Sequence, residues 1–475
     1  MTLMTFISLV ILIYILLKKD NLKVKYVKLI TLLSIIEVIM LNGYFIDFED
    51  KGISVKFFLD ILVGIASIYY IYKEKIKINK FLFFWIIFLL ICVLLGVFLE
   101  IIMPYDQPIV NYVSEGNWDG YVLGKMNKAM INISWSNVFL LYFKVLVYCL
   151  VVFIVKTTFI KVDIIYIVNN IIKVGRFIIY YGYIEYFIKN ILNQIDVISN
   201  FNIILTGVSG QISNNDDLYR LIGITAEPSY FILSIFTLLV FNLIANEIKR
   251  KDKYIYIRTY KNFEIILGLF LLYLSGGVSF FWYLFIFILI YFLLKQKVYI
   301  ISLKRFLKLI IFLIFISSVF IYLLNYMLTL TDNALANRIN NAIEIVYYLW
   351  QYGIAINSVL IGETSNVARL TSIYDVFNDF SNRPILGLGI GIQSAYSGVV
   401  TMLSEFGILG CYILYKIVTF KVNKHIKYDY VLLGCYFIIA NIPIGVKSIG
   451  YEIFSIVLIE ATRFYIEKNK NDCND

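Results

Sequence analysis

The sequence is poor in the residues that soluble enzymes use most. Of its 475 residues only 16% are charged, five are proline, five are cysteine and one is histidine. A soluble domain is about a quarter charged and about half apolar, whereas 61% of this chain is hydrophobic. The shortage of charge therefore excludes a soluble globular protein and makes the chain an integral membrane protein. Cys92, Cys149, Cys411, Cys435 and Cys473 fall in or beside apolar runs or at the C-terminus. None sits in a long polar loop, so neither a disulfide framework nor a cysteine metal site is expected. The first apolar run, LMTFISLVILIYILL, lacks a basic region before it and a small-residue cleavage site after it. It reads as a retained span rather than a signal peptide.

What is present is a long series of apolar runs. A spanning helix needs roughly 17–25 mostly apolar residues. By that rule about 12 or 13 spans are expected, near 3–17, 29–47, 53–72, 81–101, 136–155, 175–192, 230–247, 262–276, 278–294, 306–329, 396–418, 429–446 and 449–466. The run 175–192 is the weakest, because it carries Glu185 and several tyrosines. The net charge of +10 is gathered in short lysine clusters between runs, among them KKDNLKVKYVK, KEKIKINK and KVNKHIK. Every second connection is basic, which makes those connections cytoplasmic, the N-terminus external and the C-terminus internal. Charge placed this way is a topology signal and not a nucleic-acid surface.

The opposite side carries three long connections, about 102–135, 193–229 and 330–395. Long polar loops in compact domains usually have work to do. The third has helical texture of its own in NRINNAIEIVYYLWQYG. The expected architecture is one all-α polytopic membrane domain, spanning 1–475, with a helical extracytoplasmic cap.

Arginine is scarce, yet Arg220, Arg338, Arg369 and Arg383 all fall in the outer connections. The positive-inside rule predicts the reverse. Guanidinium is the side chain best suited to permanent, bidentate capture of phosphate, so these arginines are candidates for an anionic ligand. They could equally pair with Asp332, Glu363, Asp375 or Asp379 and tie the cap together. Two stretches concentrate the unusual residues. RLIGITAEPSYF, at 220–231, places Arg220 and Glu227 at the lip of an apolar run. Further on, SNRPILGLGIGIQSAYSG carries Pro384, which disfavours helical geometry at the preceding residue, and then Gly387, Gly389 and Gly391. Glycines so spaced permit close backbone approach or a broken helix, and small residues also simply let spans pack. No strand precedes them, so they are not a dinucleotide fingerprint.

These two stretches, in this order, carry a resemblance. Arg220, Gly223, Glu227, Pro228 and Ser229 at the entrance of a span resemble the O-antigen polymerase (Wzy-type) family. So do Arg369, then Pro384, Gly387 and Gly389, then Glu405, Gly407 and Gly410 opening a later span. The similarity covers mainly residues 220–410; the first 200 residues match only in span density. It implies a bacterial plasma-membrane enzyme, with its site facing outside, that joins oligosaccharide repeat units carried on undecaprenyl pyrophosphate into O-antigen, capsule or exopolysaccharide. It also implies an all-helical fold like that of the GT-C-type glycosyltransferases. One departure is LSGGVS at 274–279, where the family often has Ser-Arg-Gly-Gly. The related O-antigen ligases typically use a histidine in the last large outer loop, and here the sole histidine, His425, lies in a basic connection. That favours polymerase over ligase.

Such a reaction must hold a leaving pyrophosphate and orient or deprotonate an acceptor hydroxyl. Fixed cations serve the first task without a metal or cofactor, and Arg220 and Arg369 are the first candidates, with Arg383 and Arg338 behind them. A carboxylate in a poorly hydrated cavity serves the second. Glu227 is best placed for it, with Asp375 and Asp379 as alternatives; Glu227 could instead offset a helix N-terminal dipole or pair with Arg220. Tyr374 and Tyr396 are candidates for sugar contact. The expected partners are the lipid-linked oligosaccharide and the bilayer, with a chain-length regulator and a flippase as candidate protein partners and no nucleic acid. A flippase is the rival from another class. Its spans should hold midplane charges and related halves, whereas here the notable span charges are Glu37, Asp60, Lys144 and Glu185, and no repeat is visible. A monosaccharide transferase with an acid among Asp106, Glu115 and Asp119 is the other enzyme alternative.

Overall fold

The computed structural model describes residues 2–39, 44–46, 53–103, 135–206, 221–223, 225, 228–251, 254–275, 383–391, 398–418 and 453–471, with isolated positions at 283, 284, 286–288, 290, 291, 376, 380, 381 and 420. The expected spans 306–329 and 429–446 lie outside these residues, as does most of the 330–395 connection.

The described chain is helical apart from one small ribbon. Its helices are α1 (Leu3–Leu17), α2 (Leu22–Val38), α3 (Val55–Lys73), α4 (Lys80–Ile102), α5 (Trp135–Thr158), α6 (Lys161–Tyr186), α7 (Ile195–Thr206), α8 (Pro228–Lys251), α9 (Asn262–Leu274), α10 (Gly398–Val418) and α11 (Ile453–Asn471). A π-helical turn, Phe187–Ile191, continues α6. Between α2 and α3, strands β1 (Tyr44–Ile46) and β2 (Ile53–Ser54) pair antiparallel. Short polar side chains start several helices by accepting the amides that the first turn leaves without partners. Asn21 accepts from Val24 at 2.8 Å, Ser54 from Phe57 at 3.1 Å, and Asn79 from both Phe81 and Leu82.

Five described helices are long and apolar enough to cross a membrane, with spanning stretches at Val55–Lys73, Lys80–Ile102, Val138–Thr158, Tyr230–Arg250 and Val400–Val418. The outward faces of the peripheral helices expose Phe6, Ile13, Phe84 and Phe98, each more than half accessible. A soluble monomer rarely carries so continuous an apolar surface, whereas lipid is its natural solvent. The chain is an all-α membrane protein.

Helix α8 is the centre of the bundle. Its spanning stretch is 94% buried, against 39% for α3 and α4. It packs on α6, α9 and α11. Phe231, Phe236 and Phe241 are fully buried along it, and Gly175 of α6 and Gly268 of α9 let neighbours approach so closely that a Cβ would meet Leu238 and Leu239 respectively. Several polar groups in this interior are paired. Tyr26 of α2 shares a hydrogen bond of 2.7 Å with Ser67 of α3. The Glu37 carboxylate of α2 accepts the Phe454 amide at the start of α11, 2.9 Å away. Further along α11, Glu460 binds Lys156 of α5 and, at 2.8 Å, Arg463.

Three boundaries differ from the sequence expectation. Helix α2 starts at Leu22, inside the lysine cluster, and stops at Val38, so the run expected at 29–47 is helix only in its first part. Of its lysines, Lys23 pairs with Asp163 of α6 at 2.7 Å and Lys28 with Asp20. The run expected at 175–192 is the second part of a helix that begins at Lys161, with a two-residue link to α5. Last, α7 lies within 193–229, expected as a connection.

Candidate functional site

The two stretches that stood out in the sequence are both places where backbone leaves helical geometry inside a packed bundle. In lipid such backbone is tolerated only where protein or a water-filled cavity satisfies it. The two do so by different means.

The first lies before α8. Residues 221–223 and Thr225 form a tight turn: the Thr225 amide and hydroxyl both donate to the Ile222 carbonyl, at 3.0 and 2.6 Å. Gly223 has φ +59°, and a Cβ there would stand 2.3 Å from the Phe231 ring. Left-handed geometry is costly for residues with a side chain, and the ring closes the same position sterically. The turn is held by Glu185, which is fully buried near the end of α6. One carboxylate oxygen accepts the Ile222 amide at 3.1 Å and the other accepts the Gly223 amide at 2.6 Å. The Lys189 ammonium closes on the same carboxylate at 2.6 Å. Lys189 belongs to the π-helical turn, a conformation that recurs at functional sites.

The second lies between α4 and α10. Helix α10 is broken at Gly407, whose φ of +62° and ψ of −179° form a conformation essentially restricted to glycine. A regular helix would join the Ile408 amide to the Ser404 carbonyl. Here the rung is opened and the 383–391 loop fills it: Ile408 donates to the Pro384 carbonyl at 2.8 Å, and Ser404 accepts from Leu388 at 2.6 Å. Leu409 donates to the Ile385 carbonyl at 3.1 Å. Gly389, at φ +103°, presses on α4, where a Cβ would stand 2.4 Å from the Val97 nitrogen. Glu405, buried, accepts the Gly391 amide at 3.3 Å.

Arg383 opens this loop. Its guanidinium donates to Glu100 of α4 at 2.7 Å and to the Met103 carbonyl at the end of the same helix. Glu100 is 2% exposed and the Arg383 side chain 18%. Of the two sequence readings of the outer arginines, Arg383 therefore follows the one in which an acid ties the loop down. The acid is Glu100, which lies 283 residues away in sequence and was not singled out. A guanidinium has five N–H donors, and two of its nitrogens are occupied here. Arg220, Glu227, Arg338, Arg369, Tyr374, Asp375 and Tyr396 lie outside the described residues. The turn formed by 221–223 and Thr225 lies between Arg220 and Glu227 in sequence.

Sequence reasoning missed Glu100, Lys189 and the anchoring role of Glu185. Glu185 was visible only as a charge that weakened its own span; in a membrane segment a charge is itself the signal. No protein-family model, curated protein or solved structure matches this chain.

Proposed function

We propose that the chain is a polysaccharide polymerase of the bacterial plasma membrane, with about 12 or 13 spans, a helical outer cap and a GT-C-like arrangement. It joins undecaprenyl-pyrophosphate-linked oligosaccharide units on the outer face. The observation that carries this reading is the coincidence of two features. Among the described residues of the O-antigen polymerase resemblance, Gly223 falls in the non-helical turn before α8, and Pro384, Gly387, Gly389 and Gly407 fall on the break within α10. Such breaks in membrane helices are where substrate sites are commonly built.

In the reaction an acceptor hydroxyl attacks the anomeric carbon of the donor sugar. The new glycosidic C–O bond forms as the bond to pyrophosphate breaks, and undecaprenyl pyrophosphate leaves. Glu227 takes the hydroxyl proton. Arg220 and Arg369 stabilise the charge that develops on the leaving group, which needs no metal. Arg338, Tyr374, Asp375 and Tyr396 hold the glycan and its phosphates, while Arg383, bound to Glu100, fixes the 383–391 loop beside them.

The test is the size distribution of surface and lipid-linked glycan in a strain lacking the gene, complemented with wild type or with Arg369→Ala. The expected result is a ladder that collapses to single repeat units and is restored only by wild type. Full-length polymer retained on its lipid carrier would instead identify a ligase. Repeat units trapped on the cytoplasmic face would identify a flippase.

A further inference from the structure

We infer that Glu185 is a positioning residue: through the Ile222 and Gly223 amides it fixes the turn that carries Arg220 on one side and Glu227 on the other. The inference rests on the polymerase reading for its functional part only, because Arg220 and Glu227 are that reading's catalytic candidates. Its structural part stands on described contacts alone.

A fully buried carboxylate in a membrane bundle is expensive unless every lone pair is used. Glu185 uses both oxygens on a segment 37 residues downstream, at 3.1 and 2.6 Å, and its charge is met by Lys189 at 2.6 Å. Hydrogen bonds to an ionised acceptor are roughly twice as strong as neutral ones. If Glu185 served only to pack α6 against its neighbours, an apolar side chain would do so at lower cost. The two amides are consecutive, and the second belongs to the glycine whose left-handed backbone rests on Phe231. Two consecutive donors on one carboxylate fix both the place and the direction of the backbone there. A single donor would leave it free to pivot. The π-helical turn contributes as well: it carries Lys189, 6% exposed, back over Glu185 within the bundle. Glu185 and Lys189 act on backbone that lies, in sequence, between the two catalytic candidates. Their effect passes through the turn.

The test uses the full chain in lipid nanodiscs and in cells, with two variants. Glu185→Leu/Lys189→Leu removes both charges together, so no uncompensated ion is left in the bundle. Glu185→Gln keeps the volume and one acceptor oxygen. Hydrogen exchange is followed on the peptide covering 221–225, with peptides from α8 and α11 as internal references. Cells lacking the gene and complemented with each variant provide the glycan ladder, normalised to the amount of protein in the membrane.

In the double variant, exchange at 221–225 is expected to rise by at least about tenfold, the equivalent of losing one charge-assisted hydrogen bond, while α8 and α11 keep wild-type protection. The ladder is expected to shorten to a few repeat units. Glu185→Gln is expected to lie between wild type and the double variant in both readouts; a space-filling role predicts wild-type behaviour for this isostere. Wild-type exchange at 221–225 in the double variant would overturn the anchoring. Loosened exchange with an unchanged ladder would overturn the positioning role. If wild type itself restores no ladder, the polymerase reading fails, and the exchange data still decide whether Glu185 holds the turn.

Discussion

The two breaks in the bundle, before α8 and within α10, solve the same problem with different materials. At the turn before α8 the freed amides of Ile222 and Gly223 are taken by a side chain, Glu185, whose charge is met by Lys189. At the α10 break the opened helical rung is filled by backbone, and four glycines with positive φ, Gly387, Gly389, Gly391 and Gly407, allow two main chains to touch. Side-chain anchoring can be released by a change of charge or contact. Backbone anchoring cannot, because it has no alternative partner and no rotamer to adopt. The first break therefore depends on one carboxylate that a substitution can remove, and the second on main chain that no change of a single side chain replaces.

Substitutions should separate the two. The largest effect is expected at Gly389→Ala, where the new Cβ meets backbone of α4 on a φ of +103°. A loss on the order of 4 kcal/mol follows from strain and overpacking together, and no change of a neighbouring side chain should rescue it. Thermal unfolding of the detergent-solubilised protein, followed by size exclusion, would show it. Next comes Arg383→Ala, which removes the cation beside buried Glu100. About 3 kcal/mol is expected, with most of it recovered in Arg383→Ala/Glu100→Gln; a double-mutant cycle measures the coupling.

Gly223→Ala should cost less, about 2 kcal/mol, because the wall it meets is the Phe231 ring. Adding Phe231→Leu should return part of that loss, leaving the cost of the left-handed backbone. Rescue at Gly389 by a comparable neighbour change, or no rescue at Gly223, would erase the contrast drawn between the two breaks.

The smallest effect concerns an ion pair at a helix entrance in water. Asp20 pairs with Lys28 at the start of α2, and the hydrogen bond from Lys28 lowers the Asp20 pKa below its ordinary value. A carboxyl with a depressed folded-state pKa adds stability above its unfolded pKa of about 4 and loses it as pH falls through the folded value. Asp20→Asn should therefore be marginally less stable than wild type at neutral pH, and the gap should close at acid pH and in high salt. Melting curves across pH and salt would test this. A gap that persists in both conditions would mean that the pair behaves like the buried Glu185–Lys189 pair.

How much of this was legible in sequence depends on the period of the signal. Helices α3, α4, α8 and α9 follow apolar runs and end close to where the runs end. The true extent of α6 was obscured because Asp163, Lys173 and Arg176 interrupt its hydropathy, although its polar side chains find partners: Arg176 and Tyr180 both bind Glu264, at 2.6 and 2.9 Å. The break at Gly407 was invisible as a break, since apolar residues continue on both sides of it. The glycine spacing at 387–391 did point to close backbone approach, but not to what it would approach. Arg383 stood out as an arginine on the unexpected side, yet its partner Glu100 sits at the end of a run whose apolar character hid it. Local chemistry could be read; pairings across hundreds of residues could not.

The burial of α8 has a consequence for how the protein is made. A segment enters the bilayer as it is synthesised, and α8 does so after α2 and α6 but well before α11, one of the helices that enclose it. Until residues 453–471 arrive, the face of α8 that will meet α11 must rest against lipid or against a provisional neighbour. That interval spans nearly half the length of the chain. Ser234, Thr237 and Asn242, all buried on α8 in the finished bundle, make lipid a poor host for this helix while it waits. A chain shortened before Ile453 should therefore be cleared by membrane quality control even though every helix up to α10 is intact.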